Sequence, residues 1–450
     1  MSYSKPLDEY FDSFTGNKVL IIHKEIPQDL PQGVLINLHR EKAITIHDIF
    51  NYPSEFIPEI PRWVISKYSS PKEVVLDPFI GGGATAVECM ILGRNCIGVE
   101  LNPLACLVTE VKTTKYNCEE VEKCGSKLLQ EIYERIRGHH EIFIPSYKNI
   151  RFWFSPQSMK GLSAIKQAIE EVENEALRKL FMVIFAKTVR KSSKVAEGQV
   201  LQARRPKRGA TNEITDPVQV CDIFKTEFER TKHILHMFSE KLHKDSWTTI
   251  IQGDTLQLPK MLEEIRKYPD IVITSPPYIN AIDYVWAFKL ELHWLGLVKD
   301  DEHRLNLMKK QIGTENIPAS LYRNLKKTGF PELDNKIEDI YYGRGRKASG
   351  EQNKLRAYVV YKYFKDIEQH LNHAYSFLPS RGFYIYAIGE NTITNVRIET
   401  WKHILQMAEN IGFKKVFEVG LLLKNKLLNY PRNLPWANEI KYDKIIVLKK

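Results

Sequence analysis

Two kinds of hydrophobic spacing alternate along the chain, and the alternation predicts the fold class. Between residues 61 and 114, "EVVLDPF" and "NCIGVELNP" hold short, nearly unbroken apolar runs, as expected of strands buried on both faces. Beside them, "RWVISKYS" and "GATAVECMILG" space their apolar residues three and four apart and read as helices. The alternation returns in "WTTIIQGDT", "KMLEEIRKY" and "DIVITSPPY", and again in "YVVYKYFKDIEQHLNHAYSFL", "GFYIYAIGE" and "YDKIIVLKK". Strands and helices in turn, with short connections, predict an α/β fold with a doubly wound, mostly parallel sheet.

Two segments interrupt this pattern. Residues 116–246 lack strand runs and carry helical spacing, as in "VEKCGSKLLQEIYERI" and "EALRKLFMVIFAKTVR". Residues 297–355 are polar and rich in Lys, Arg, Asn and Gly. The expected organisation is therefore a core built from 1–115, 247–296 and 356–450, with a mainly helical insertion at 116–246 and a polar one at 297–355.

Composition narrows the class. A chain of 450 residues and 52.4 kDa exceeds what one compact core needs, and 43% hydrophobic with 27% charged residues is ordinary for a soluble globular protein. No run approaches the roughly 18 apolar residues of a membrane span. The N-terminal "MSYSKPLDEYFDSF" is polar where a signal peptide is basic and then apolar. The expectation is a cytoplasmic, nucleoid-associated protein with no membrane contact. Six cysteines stand without a CxxC pair or histidines at zinc spacing, which argues against a disulfide framework and against a metal site. A net charge of +10 is compatible with a polyanionic partner.

The chemistry begins at "VVLDPFIGGGATAVEC". A strand ends at Asp77, three glycines make a turn, and a helix starts near Thr85. Glycines let the backbone approach a ligand closely, and the helix N-terminus offers free amides. The next strand ends at Glu100, about 20 residues on, where a carboxylate can accept from ribose hydroxyls. Without that carboxylate, a bare strand–helix turn would be the better reading. No Gly-Lys-Ser/Thr follows, which excludes a P-loop. Asp77 would repel a pyrophosphate and favour a ligand bearing an ammonium group. A second constellation is Ser275-Pro276-Pro277-Tyr278, which closes the strand "DIVIT" with two residues unable to donate to a sheet.

Together, "LDPFIGGGATAVEC", "GVELNP", "GDT" and "TSPPY" resemble the amino-group DNA methyltransferases that use S-adenosylmethionine. The segment "IFNYPSEFIPEIPRWVI" is similar to the one that covers the methionine end of the cofactor in that family. The likeness is spread over residues 45–112, 247–296 and 361–395. It implies a Rossmann-like methyltransferase sheet in which Asp77, Phe79, Gly81 and Gly83 line the methionine moiety. Glu100 would bind the ribose, Asp254 the adenine amine, and Pro53 and Phe56 would belong to the covering segment, with Pro58 beside them. A helix N-cap is the other reading of Asp254. The glycine turn here precedes the Ser-Pro-Pro-Tyr turn, whereas many relatives with Asp-Pro-Phe-x-Gly-x-Gly carry the reverse order. Ala84 stands where threonine is common.

The resemblance also assigns the second turn a task. An exocyclic base amine is a poor nucleophile because its lone pair is delocalised into the ring. Acceptors aimed at both N–H groups, held rigidly near a methyl donor, recover the nucleophilicity. The Ser275 hydroxyl and the Pro276 carbonyl can accept, Pro277 stiffens the turn, and Tyr278 offers a stacking face for a flipped base. The serine favours cytosine N4 over adenine N6. Carbon-5 chemistry is excluded because no cysteine follows a proline. Asn280 and Tyr284 could border the base, and Glu390 and Asn391 could face its pocket. His293 reads as a structural histidine.

Two basic stretches suit double-stranded DNA. One, in "VRKSSKVAEGQVLQARRPKRGATNE", contains Arg190, Lys191, Arg204, Arg205, Lys207 and Arg208 and reads as a loop that contacts phosphates. The other, in "YYGRGRKASGEQNK", contains Arg344 and Arg346 and falls in the polar insertion, a candidate for target recognition. The expected activity is site-specific DNA methylation within restriction–modification, with any endonuclease a separate protein. An RNA methyltransferase and a non-catalytic DNA-binding module remain as alternatives.

Overall fold

The computed structural model describes residues 9–11, 18–40, 43–53, 55–138, 141–196, 214–279, 283–345, 350–422 and 442–450. Twelve strands occur among them: β1 (Glu9–Phe11), β2 (Lys18–His23), β3 (Leu35–His39), β4 (Val74–Asp77), β5 (Asn95–Glu100), β6 (Thr248–Gln252), β7 (Ile271–Thr274), β8 (Phe383–Ile388), β9 (Asn391–Ile393), β10 (Val396–Ile398), β11 (Lys414–Leu422) and β12 (Tyr442–Lys449). Ten of these form one sheet in the order β1-β2-β3-β11-β12-β8-β7-β4-β5-β6, and β9 and β10 make a separate hairpin. From β8 through β7, β4 and β5 to β6, every pairing is parallel. Only β12, paired antiparallel with β8 and β11, and the edge strand β1 run against the rest. The sheet is doubly wound and mostly parallel.

The winding reverses at β4. The chain steps outward from β4 to β5 and β6, then returns to lay β7 on the other side of β4. That makes the C-terminal ends of β4 and β7 the switch point at which an open α/β sheet leaves a crevice. Both chemical turns fall there, one after Asp77 and the other after Thr274.

Helices cover both faces. Glu59–Tyr68 and Ala84–Ile91 bury Trp63, Val64, Ile65, Ala86 and Cys89 on one side. On the other, Gly350–Phe377, Leu258–Ile265 and Thr400–Ile411 bury Val360, Phe364, Leu262 and Met407. Between β5 and β6, the helices Cys118–Arg137, Pro156–Glu170, Glu175–Lys191 and Pro217–Phe238 form a helical lobe whose core around Leu162, Phe181, Phe185 and Phe228 runs on into Leu104, Val108, Leu290 and Trp294.

Several elements depart from the expectation. Strands β2, β3 and β11 extend the sheet beyond β12. The polar insertion holds two well-formed helices, Asp301–Lys310 and Pro331–Tyr341. Arg190 and Lys191 belong to the helix Glu175–Lys191, not to a loop, and both are engaged. Arg190 pairs with the buried Glu291, and Lys191 with Glu227. Arg204, Arg205, Lys207, Arg208, Arg346 and Asn280 lie outside the described residues.

Candidate active site

A cavity of about 500 Å³ opens at the switch point, a size suited to a ligand as large as a nucleoside derivative. Asp77, Phe79, Gly81 and Glu100 line it from the β4–β5 side, Asp254 from the end of β6, and Ser275 to Tyr278 from the end of β7. Pro53 and Phe56 close it from the segment before the first helix. Residues brought from four distant parts of the chain thus share one space.

The glycine turn is shaped by its neighbours. Gly81 and Gly83 have φ of +51° and +90°, conformations that strain any residue with a side chain. A Cβ on Gly82 would sit 2.5 Å from Cβ of Tyr52, and one on Gly83 would sit 2.7 Å from Oγ1 of Thr109. Gly83 is not among the lining residues; it caps the helix Ala84–Ile91. Beneath the turn lies Lys112, wholly buried, whose ammonium donates to Oε1 of Glu55 at 2.9 Å and to the Gly82 carbonyl at 3.0 Å. It ties the covering segment to the turn, and nothing in the sequence pattern marked it.

Glu100 accepts from the backbone N–H of Gly81 at 3.1 Å and of Asn102 at 2.8 Å. Burial raises its carboxyl despite these donors. Two donors leave acceptor capacity on a carboxylate that already faces the cavity. Oδ1 of Asp254 caps the following turn by accepting from Leu256 N–H at 3.0 Å, and the residue also lines the cavity.

Asp77 links the two turns. Its Oδ1 accepts from Phe79 N–H at 3.0 Å and from the Thr274 hydroxyl at 2.7 Å, while Oδ2 accepts from the Thr85 hydroxyl at 2.6 Å. Burial pushes its carboxyl up to about 6, with the three donors opposing the shift. The residue that precedes Ser275 is therefore bonded directly to the residue that begins the glycine turn. Phe79 meets the ring of His370 edge-on at 5.4 Å, and burial lowers that imidazole to about 3, so it is neutral.

The Ser-Pro-Pro-Tyr turn is pinned at its far end too. The Tyr278 hydroxyl donates to Asp443 on β12, and burial, followed by that carboxylate, raises the phenol well above its ordinary value. The Asn391 amide donates to the Ile279 carbonyl at 3.1 Å and itself accepts from Thr400 at 3.0 Å. Asn391 thus braces the turn. Glu390 is held by Arg397 at 2.7 and 2.8 Å and does not line the cavity. Asp283 and Tyr284 do line it, and Tyr284 stacks on Tyr52 with ring centres 5.5 Å apart.

The remaining wall was not foreseen. Met308 and the run from Lys310 to Asn316, from the polar insertion, cover the cavity. Arg344 of the same insertion is exposed and paired with Glu338 at 3.1 Å and Asp339 at 3.0 Å. His293 is buried, with burial holding its imidazole below its ordinary range. Among the described residues no group of three or more His, Cys, Asp or Glu could hold a metal, and no helix is long and apolar enough to cross a membrane.

A family model described as DNA methylase matches residues 24–110. Type II methyltransferase M.MvaI from Kocuria varians is 23% identical over 417 residues, 86% of this chain and 87% of that protein. Type II methyltransferase M.MjaII from Methanocaldococcus jannaschii is 24% identical over 327 residues, 54% of this chain and 61% of its own length. The chain thus spans less than two thirds of the latter. A solved rRNA methyltransferase from Streptomyces viridochromogenes aligns over 90% of both chains at 10% identity, but its TM-score of 0.30 is too low to bear on the reading. The matched segment runs through the covering residues, the glycine turn and Glu100, all of which meet at one cavity. The chain is thus similar to DNA methylases through the segment that builds much of the cavity.

Proposed function

We propose that the protein is a site-specific DNA methyltransferase that moves a methyl group from S-adenosylmethionine to an exocyclic base amine, cytosine N4 rather than adenine N6, within a restriction–modification system. The observation that carries this reading is the convergence of Ser275–Tyr278 with Asp77, Gly81, Glu100 and Asp254 on one cavity. The type II methyltransferase names of the relatives support the substrate class.

The residues fit the cofactor. Glu100 keeps acceptor capacity for a ribose diol, and Asp254 offers a carboxylate for an adenine amine. Asp77 places a carboxylate beside the glycine turn, where a cationic methionine end would be welcome. The cofactor supplies an electrophilic methyl group. The protein's task is to recover the amine's nucleophilicity. The Ser275 hydroxyl and Pro276 carbonyl accept hydrogen bonds from the two amine N–H groups and favour a tetrahedral nitrogen, which releases one proton to water on methylation. Pro277 keeps that carbonyl direction fixed, and the Tyr278 ring stacks on the base. Because such an amine is paired within duplex DNA, the base must be flipped out to reach them.

The test is transfer of labelled methyl to mixed-sequence duplex DNA and to RNA, with products hydrolysed to nucleosides. Label in N4-methylcytosine is the expected result. Label in N6-methyladenine would correct the base, and label in RNA alone would overturn the substrate class.

A further inference from the structure

The insertion that roofs the cavity continues into a run of cations, most of which lie outside the site. Between residues 309 and 329 stand Lys309, Lys310, Arg323, Lys326 and Lys327 against a single acid, Glu315. All five cations are exposed. Among the described residues none of them has a carboxylate within ion-pair distance, in contrast to Arg344, Arg190 and Lys191, each of which does.

The run is anchored. Ile312 is buried in the core beside the sheet, and Ile317 and Leu325 pack against the same core. The Tyr341 hydroxyl donates to the Arg323 carbonyl at 2.6 Å, fixing the backbone just before Lys326. Tyr341 ends the helix Pro331–Tyr341, which packs against β10, and Lys336 of that helix donates to the Arg397 carbonyl at 3.1 Å. Strand β10 pairs with β9, and that hairpin follows the C-terminal end of β8, the edge of the sheet at which the cavity opens. Lys310 itself lines the cavity.

We propose that the segment Lys309–Lys327 is the surface that grips the phosphate backbone of duplex DNA beside the flipped base. This rests on the reading of the cavity as a DNA-methylating site. Lysine and arginine side chains without partners can meet phosphates without first breaking an ion pair, whereas Arg344 would have to leave two. Contacts of this kind set affinity, register and salt dependence and carry no sequence information. The surface therefore places DNA over the cavity, and base identity is read elsewhere.

The experiment compares the wild type with the triple variant Arg323→Gln, Lys326→Gln, Lys327→Gln, none of whose positions lines the cavity. Duplex binding is followed by fluorescence anisotropy across a salt series, with cofactor binding measured by calorimetry. Each lost phosphate contact removes about 0.9 from the slope of log affinity against log salt. The slope should flatten by about 2.7 and affinity at low salt should fall at least tenfold, with the cofactor's dissociation constant unchanged. A second variant, Lys326→Arg with Lys327→Arg, should keep the wild-type slope. If the wild type methylates DNA and the triple variant's slope is unmoved, the surface is wrong and the reading of the cavity stands. If the wild type binds structured RNA and not duplex DNA, both fall.

Discussion

The Tyr278 ring lines the cavity and is anchored at its hydroxyl. Its hydroxyl bond to Asp443 joins the Ser-Pro-Pro-Tyr turn to a strand 165 residues away, and such a bond contributes about 1 kcal/mol when well placed. Tyr278→Phe keeps the ring and frees it, so kcat should fall about fivefold to tenfold with little change in KM. Asp443→Asn, which can still accept, should retain most activity. Tyr278→Ala should lose transfer altogether while cofactor affinity holds. Steady-state kinetics on a methylatable duplex decides the matter, and a fully active Tyr278→Phe would remove the anchor from catalysis.

Asp77 makes a pH prediction at the same scale. Its folded carboxyl sits near 6, above the ordinary value of 3.8. The folded state therefore holds the proton more tightly than the unfolded chain. This group's contribution to stability is full below about 4, is lost as pH rises to 6, and is constant above that. A cationic ligand beside it prefers the ionised form. Cofactor affinity should rise about tenfold between pH 5 and 7 and then level, and Asp77→Asn should flatten that rise. Calorimetric titrations across that range test it, and a flat wild-type profile would place the cation away from Asp77.

At the scale of elements, the strands at the switch point were legible because parallel central strands are apolar throughout. "VVLD", "CIGVE" and "IVIT" could hardly be anything else. The edge of the sheet was not. In β11, "KKVFEVGLL" breaks its apolar residues with Lys, Glu and Gly and lies far from any chemical motif, and β2 follows a polar N-terminus. The site divides in the same way. Glycines and prolines announce their positions because few residues can replace them. Thr274 and Lys112 act only through partners that folding brings near, so spacing carries no trace of their roles. Lys112 offers a direct check. Lys112→Met leaves the Gly82 carbonyl and Glu55 without their donor, at a cost of about 1–3 kcal/mol. Thermal unfolding should fall accordingly, and cofactor affinity should weaken at least tenfold because the covering segment loses its tie to the glycine turn. Unchanged affinity in a folded variant would make Lys112 a stabilising residue alone.

For the whole molecule, the question is whether the helical lobe is an appendage or part of the catalytic machinery. It meets the core where the helix Glu175–Lys191 packs along the helix Lys289–Leu295, which follows the Ser-Pro-Pro-Tyr turn. Arg190 is the cross-link: Nε pairs with the buried Glu291, Nη2 donates to the Ala287 carbonyl at 2.6 Å, and the guanidinium lies 5.3 Å from the Phe288 ring centre. Phe288 in turn stacks on Tyr52, 5.2 Å away, and Tyr52 lines the cavity. A contiguous set of contacts thus runs from the lobe to the wall of the cavity. Removing one partner of a buried pair leaves an uncompensated charge, and Arg190→Met should destabilise the protein by about 3–5 kcal/mol. Arg190→Met with Glu291→Leu removes both charges and should recover much of that stability. If the lobe only decorates the fold, the double variant should also recover full activity. If it positions the helix behind the catalytic turn, stability returns while kcat stays depressed, because the Ala287 carbonyl and the Phe288 face still lack their partner. Denaturant unfolding and methyl transfer, measured on the same two variants, separate these outcomes, and we expect the second.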